Sequence, residues 1–191
     1  MLFTLSQLKS ALHIPEEDVQ GDLELLALGQ AVQDTFEAYC GRKFGRAVES
    51  DQFRGNERSV FPTRVPLESV TSVEWYDPVE SVWTALTGLH LTPVRNLWVE
   101  FDTAPGMEAM VCRLNYIGGF VLPDSADQTG MYPLDGALTS AALIQARAMW
   151  QRKDKLAFVN VGEKHATMSM STDLLVMEAQ TILYDYRRLL I

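Results

Sequence analysis

The residue types that most often carry enzyme chemistry are few and scattered in this sequence. Its three histidines are His13, His90 and His165, and no His-Glu-x-x-His pattern places two of them on one helix face. His165, which follows Glu163 and Lys164, could act as a general base. A solvated loop explains this grouping better, because a general base needs a partly dry pocket. Phosphate-binding, dinucleotide-binding and nucleophile-elbow motifs are absent from the sequence. We therefore expect no catalysis.

The candidate metal ligands and thiols are equally unspecific. Cys40 and Cys112 show neither metal-binding nor redox spacing, so we expect two reduced cysteines buried as small core side chains. The acidic run Glu16-Glu17-Asp18 could hold a cation through oxygen atoms, but it lacks the alternation and the glycine of a calcium loop. The sequence therefore predicts no metal site and no cofactor.

Composition and charge narrow the classes of partner. The chain has 191 residues, of which 47% are hydrophobic and 21% charged, enough for a globular core. Its longest uncharged stretch has 14 residues (81–94), whereas a membrane helix needs about 20 apolar residues. A net charge of −9 argues against generic nucleic-acid binding and a DNA-binding regulator. Residues 123–191, with seven basic and eight acidic side chains, are nearly neutral, so we expect them to contact another macromolecule.

The first part of the chain, residues 1–48, has helical periodicity. Thr4 and Gln7 form a capping-box pattern, and Asp22 is a candidate cap for a second, longer helix. Gly41 stands where a helix-ending glycine belongs. The following basic residues suit the negative end of the helix dipole, although a binding role stays open; they are Arg42, Lys43 and Arg46. The apolar stripe of the second helix consists of Leu25, Leu28, Val32, Phe36 and Tyr39.

The middle of the chain, residues 49–120, changes to the period of two that is typical of strands. The alternating runs are Val73/Trp75, Leu97/Val99/Phe101 and Met110/Cys112/Leu114/Tyr116. Turn-forming residues separate the runs, so we expect about five short strands in an antiparallel sheet or small barrel. Trp98 falls on a polar strand face, where it is either an anchor for a neighbouring subunit or covered by a flanking helix.

The last part, residues 133–191, is predicted to be helical again. Pro133 suits the first turn of a helix that ends near Lys155 and carries a small-residue stripe made of Ala137, Ala141, Ile144 and Ala148. A final helix is predicted over residues 173–190. Between them, Met168 and Met170 alternate with serines, a composition suited to an adaptable arm that contacts a neighbouring subunit or packs on its own. The fold class is therefore α+β, a helical core with an inserted antiparallel sheet.

Several short patterns, taken in order, resemble the head–tail connector (adaptor) proteins of tailed bacteriophages and gene transfer agents. They cover a little over half of the chain, and it departs from them at residues 124–132 and 157–172. The patterns are Leu5-x-x-Leu8-Lys9-x-x-Leu12-x-Ile14, Glu16-Glu17-Asp18, Tyr39-Cys40-Gly41-Arg42-x-Phe44, Val65-Pro66-Leu67-x-Ser69-Val70-x-Ser72-Val73, Leu114-Asn115-Tyr116-Ile117-Gly118-Gly119-Phe120, Trp150-Gln151-Arg152 and Leu183-x-x-Tyr186-Arg187.

The resemblance implies one domain over residues 1–191, with a β insertion in a helical core, and a ring of typically twelve subunits. That ring docks beneath the portal in the neck of the particle, extends the DNA channel without binding DNA specifically, and offers a platform for stopper or tail-completion proteins. The resemblance implies no catalysis and no cofactor. It also implies that the particle is assembled in the host cytoplasm. Tyr and Arg are enriched at interface hot spots, so the candidate portal-docking residues are Tyr184, Tyr186, Arg187, Arg188 and Leu190.

Two alternative functions stay open at this point. The chain could be another neck component, a stopper or tail-completion protein, although those are dominated by β-structure. It could be a small cytosolic α+β enzyme or ligand-binding domain, which would require a concave pocket with a perturbed titratable group. Within the last helix, we expect Tyr186 and Leu189 to be buried in the subunit core. For the ring, we expect acidic residues of the β insertion or of the helix starts to face the channel.

Overall fold

A computed structural model describes residues 1–126, 128–152 and 175–188, and the backbone alone of residues 153–158. Helices and antiparallel sheets occupy separate stretches of these residues, which confirms the α+β class. The helices are α1 (Leu5–Leu12), α2 (Asp22–Cys40), α3 (Gly136–Phe158) and α4 (Met177–Leu183), with a 3₁₀ helix at Tyr184–Tyr186. The strands are β1 (Ala47–Arg54), β2 (Ser59–Val60), β3 (Leu67–Asp77), β4 (Val82–Ala85), β5 (Leu91–Val94), β6 (Trp98–Phe101) and β7 (Val111–Gly118).

The chain divides into two compact units. The helical unit comprises Met1–Gly41, Leu122–Ala126 and Leu134–Ile191. The β unit comprises Arg42–Val121 and Asp127–Pro133. The β unit is thus an insertion between the N-terminal and C-terminal helices along the chain.

The N-terminal helices follow their sequence signals, with one exception. The Thr4 side chain accepts from the Gln7 backbone N–H while the Gln7 side chain accepts from Thr4 N–H, which confirms the capping box of α1. The cap of α2 is Gly21, so the prediction for Asp22 was wrong. The Asp22 carboxylate lies instead 2.6 Å from the ammonium group of Lys9, which engages it from α1. The α2 stripe is confirmed, since Leu25, Val32 and Phe36 are buried.

Helix α3 begins later than predicted and buries a different face. Asp135, immediately before the helix, accepts a 2.9 Å hydrogen bond from the Ala137 N–H, so the helix starts at Gly136 rather than at Pro133. Of the predicted stripe, Ala141 is buried and Ala148 is half-buried, whereas Ala137 and Ile144 are exposed. The buried face therefore overlaps the predicted one at Ala141 but is turned toward Leu138, and tertiary packing decides between them. The members of the buried face are Leu138, Ala141, Ala142, Gln145 and Ala146.

The final helix is much shorter than the predicted span of residues 173–190. Val176 precedes α4 in an extended conformation, and its N–H donates to the buried Gln145 side chain at 2.9 Å. The helix then tightens into the 3₁₀ turn at Tyr184–Tyr186, and Arg187 is extended. The Arg188 N–H donates to the Cys40 carbonyl at 2.8 Å. This tertiary hydrogen bond takes the place of the next helical one, which is why the helix ends there.

The β unit holds two antiparallel sheets around one apolar core. Four strands pair in the order β1-β7-β3-β4, and three pair in the order β2-β6-β5. Phe53 of β1 stacks on Phe101 of β6 with ring centroids 5.7 Å apart, so both sheets contribute to the core. The predicted alternation is confirmed at Val99 and along β7, whereas Leu97 is 39% exposed. The buried β7 side chains are Cys112, Leu114 and Tyr116.

A polar network lies at one edge of this core. The hydroxyl of the fully buried Tyr116 donates to Asp51 Oδ2 at 2.7 Å and accepts from the Arg64 backbone N–H at 3.0 Å. Thr63 donates its own N–H to the same carboxylate oxygen at 2.6 Å. Burial, followed by the hydrogen bond to Asp51, raises the pKa of Tyr116 far above its usual range. The network ties β1 and β7 to the segment before β3.

Candidate interaction site

The side chains that could do chemistry do not converge in the described part of the chain. Within it, no three His, Cys, Asp or Glu side chains are grouped so as to hold a metal ion. His13 ends α1 in the left-handed conformation with φ 59°, and His165 lies outside the described residues. Cys40 and Cys112 are buried, as predicted, and are not joined in a disulfide; burial raises the pKa of the Cys112 thiol. None of the described helices is long and apolar enough to cross a bilayer.

The C-terminal segment is anchored by its apolar side chains and by the end of α2. Leu175, Ala179 and Leu183 recur every four residues and are buried in the helical unit. Helix α2 ends at Gly41, in the left-handed conformation with φ 62°, which leaves the Cys40 carbonyl available to Arg188. The residues from 184 to 188 are therefore held against the end of α2.

This anchoring exposes part of the predicted portal-docking set. Tyr184 is 70% exposed, because it follows the buried Leu183 by one position. The guanidinium of Arg187, also exposed, lies over the Tyr39 ring at 5.2 Å from its centroid, within cation–π range. We call Tyr39, Tyr184 and Arg187 the Tyr/Arg surface. The sequence did not predict Tyr39 as part of this surface, because its spacing assigns it to the apolar stripe of α2.

Two other predicted docking residues, Tyr186 and Arg188, make contacts within the helical unit. The Tyr186 hydroxyl donates to Asp135 Oδ2 at the start of α3. This hydrogen bond, helped by the Ala137 N–H, lowers the pKa of Asp135, while burial and the same contact raise the pKa of Tyr186. Arg188 is fixed through its backbone, as described above. Leu190 lies outside the described residues.

The candidate inter-subunit residues are only partly described. Trp98 is half-buried, and its ring lies 5.9 Å from the ring of Phe61, in the segment after β2. Its indole N–H donates to Glu100 Oε1 at 3.1 Å, on the same strand face. Partial cover thus comes from Phe61, within the β unit, and Trp98 stays partly accessible. Met168 and Met170 lie outside the described residues.

Two members of the basic cluster after α2, Lys43 and Arg46, form ion pairs inside the β unit. Arg46 makes a bidentate contact with Glu68, at 2.7 and 3.0 Å. Lys43 and Arg64 both donate to Glu49, at 3.1 and 2.9 Å. Burial opposes ionisation of Glu49, but these two cations outweigh it and lower its pKa. Lys43 and Arg46 therefore have structural partners, which favours the reading that they serve the local fold.

A second pairing lies on the outer face of the four-stranded sheet. Arg113 of β7 donates to Glu74 of β3 at 2.6 Å and stacks over the Trp83 ring of β4 at 4.3 Å. Asn115 also donates to Glu74, at 2.9 Å. Burial opposes ionisation of Glu74, and the hydrogen bonds from Arg113, Ser72 and Asn115 lower its pKa overall. These contacts link three strands across the sheet.

Comparison with known proteins gives structural neighbours only. No family model matches the sequence, and no curated protein matches it. A chain from the neck of an empty GTA particle, computed with C6 symmetry, is 14% identical with a TM-score of 0.65, covering 100% of this chain and 91% of that one. A chain from the virion of a native gene transfer agent (GTA) particle is 15% identical with a TM-score of 0.60, with the same coverage of both chains. A chain from the neck of a native GTA particle, computed with C12 symmetry, is 14% identical with a TM-score of 0.56, covering 98% of this chain and 89% of that one. The chain thus has, over essentially its whole length, a fold found in the necks of gene transfer agent particles.

Proposed function

We propose that this chain is a non-catalytic neck protein, a head–tail adaptor that forms a ring beneath the portal of a phage or gene transfer agent particle. The observation that carries the proposal is the fold, which matches neck chains over 98–100% of this chain, including one from a neck with C12 symmetry. Because one fold can serve many functions, a shared fold alone does not establish a function. The ordered sequence patterns described above point independently in the same direction.

The chemistry of the described residues supports a structural role. Apart from the buried Cys112 thiol, the groups with perturbed pKa values hold strands or helices together, such as Tyr116, Glu74 and Asp135. An active site places such groups in a cleft beside a reacting atom. Here each has a structural hydrogen-bonding partner, which suits a protein whose work is assembly.

The charge distribution supports a conduit for DNA. A ring of twelve such chains, each with a net charge of −9, would carry roughly a hundred net negative charges. Two cations of the cluster after α2, Lys43 and Arg46, pair with Glu49 and Glu68. A negatively charged channel surface repels the phosphates of DNA and lets the DNA slide. We infer that acidic side chains of the β unit or of the helix starts face the channel.

The Tyr/Arg surface is the part of the chain that we assign to the portal. It combines two aromatic rings and a guanidinium, the groups most enriched at interface hot spots. The backbone beneath it is held by Leu183 and by the Arg188–Cys40 hydrogen bond, so little ordering is needed on binding. Stopper or tail-completion proteins would then bind the opposite side of the ring.

Native mass spectrometry of the purified chain, alone and mixed with its portal protein, tests the proposal. We expect the chain to bind portal directly and in a fixed multiple that corresponds to a ring. A chain that binds portal only after another neck protein has bound would be a stopper or tail-completion protein. A chain that stays monomeric in both samples would contradict a ring-forming role altogether.

A further inference from the structure

The start of α2 exposes apolar side chains that the helical unit leaves uncovered. Leu23 is 83% exposed and Val19, just before the helix, is 68% exposed. Exposed acidic side chains surround them, namely Glu16, Glu17, Asp18 and Glu24. We call Glu17, Val19 and Leu23 the α2-start surface. It has apolar groups at its centre and negative charge at its rim.

Helix α3 presents a surface of complementary character. Its exposed residues recur at helical spacing, and Ile144 among them is 40% exposed. Arg147, one turn further on, is exposed and is the charged member of this row, while small side chains precede Ile144. We call this row the α3 surface; it consists of Ala137, Ser140, Ile144, Arg147 and Gln151.

The two surfaces lie on helices that share a core. Helix α2 packs on α3, and the buried side chains of the two helices include Leu25, Val32 and Phe36 on α2 and Leu138 and Ala142 on α3. Because each exposed row is on the far side of its helix from these residues, both surfaces face away from the common core. One subunit can therefore contact two neighbours at once.

We propose that the α2-start surface of one copy docks on the α3 surface of the next copy. This inference rests on the proposed function, because a closed ring requires a head-to-tail interface made of two different surfaces. In it, Leu23 and Val19 cover Ile144, and Glu17 faces Arg147. The small side chains Ala137 and Ser140 let the two helices approach closely. Apolar contact at the centre and opposite charges at the rim are the usual anatomy of such interfaces.

Charge reversal tests the polar part of the interface. Glu17→Arg alone and Arg147→Glu alone should each weaken assembly about tenfold or more, because like charges then face each other. The double variant should restore assembly, since the pair is reversed but still opposite. Arg58→Glu, which reverses an exposed arginine of the β unit, is the matched control and should leave assembly unchanged. Single variants that assemble like the natural chain would overturn the pairing.

Mixing tests the head-to-tail geometry. Leu23→Asp spoils the α2-start surface and Arg147→Glu spoils the α3 surface, so each variant alone should remain largely monomeric. A mixture of the two leaves one intact pair of surfaces, and we expect a dimer with one copy of each variant but no ring. An interface in which both copies used the same surface would give no such dimer. Native mass spectrometry distinguishes the two results.

A cysteine pair detects the contact even when assembly is weak. Oxidation of Leu23→Cys/Ile144→Cys should give a ladder of disulfide-linked oligomers, whereas either single cysteine variant should give dimers at most. If the natural chain forms rings, alone or on portal, while the pair gives no ladder, only this interface is wrong. If the natural chain forms no oligomer with portal and the pair gives no ladder, the proposed ring is wrong as well.

Discussion

The ammonium group of Lys9 lies 2.6 Å from Asp22 Oδ1, and it also donates to the backbone carbonyls of Glu16 and Asp18, at 3.1 and 2.9 Å. Lys9 is only 3% exposed, so its three N–H groups need partners within the protein, and these three oxygen atoms supply them. One side chain of α1 therefore shapes the segment that leads into α2. That segment carries Val19 and Glu17 of the proposed interface.

Replacing Lys9 by Met should destabilise the helical unit by about 1–3 kcal/mol, because two carbonyls and a partly buried carboxylate lose their donor. Urea unfolding followed by circular dichroism measures the loss. Lys43→Met is the matched control, since Lys43 is half exposed and pairs with Glu49 at 3.1 Å. That change should cost less than about 1 kcal/mol. Equal losses in the two variants would show that burial of Lys9 contributes nothing special.

Removing the Tyr116 hydroxyl should also destabilise the chain, by about 1–3 kcal/mol. Tyr116→Phe leaves the Asp51 carboxylate and the Arg64 N–H without their shared partner, while the ring still fills the core. Tyr76→Phe serves for comparison, because the Tyr76 ring contacts Trp83 at 5.3 Å and its hydroxyl has no hydrogen bond in the described structure. Denaturant midpoints that fall equally for both would contradict the importance of the network.

Acid should destabilise the β unit through Glu49 and Glu74. Both have a pKa below the usual 4.5 in the folded chain, so the unfolded chain takes up protons first as the pH falls. Their contribution is complete above pH 4.5 and is lost below it, as the pH passes through the lowered pKa values. Urea midpoints measured from about pH 6 to pH 3 should therefore fall, and Glu49→Gln should reduce both the midpoint at neutral pH and the slope. Glu80→Gln, an exposed carboxylate, should change neither.

Tyr184→Ala and Arg187→Ala should each weaken portal binding by about 30-fold, the effect of losing a hot-spot side chain. Point variants are sharper than a truncation after Leu183, which would also remove the Arg188–Cys40 hydrogen bond and the Tyr186–Asp135 contact. Surface plasmon resonance on immobilised portal gives the affinities. Glu178→Ala, which changes an exposed residue of α4 outside the Tyr/Arg surface, should bind normally. Normal binding by both test variants would remove the Tyr/Arg surface from the proposal.

Local signals predicted the parts of the fold that depend on neighbours in the chain. The Thr4/Gln7 capping box, the Gly41 helix end and the alternation along β7 are such parts, because each involves residues within a few positions of one another. Where two local patterns compete, the sequence could not choose between them. On helix α3 the predicted stripe is buried at Ala141 but not at Ile144, because the buried face is turned toward Leu138.

The candidate site shows the same division. Leu183 and Tyr184 are consecutive, so they point to different sides of the helical segment. The sequence alone does not say which of them faces the core. The pairings of Arg187 with Tyr39 and of Tyr186 with Asp135 join residues that are distant in the chain. Such contacts depend on the folded path of the whole helical unit, so no local pattern signals them.

By itself, the sequence determined the α+β class, the positions of the N-terminal helices and the alternating faces of the strands, since these depend on side-chain periodicity and capping within short segments. Tertiary structure alone decided that β1 and β3 both pair with β7, that the last helix stops at Leu183, and that Lys9 holds the start of α2. Each of these joins backbone or charged groups across long chain separations. The physical reason is that a buried polar group must find a partner wherever the fold brings one within reach.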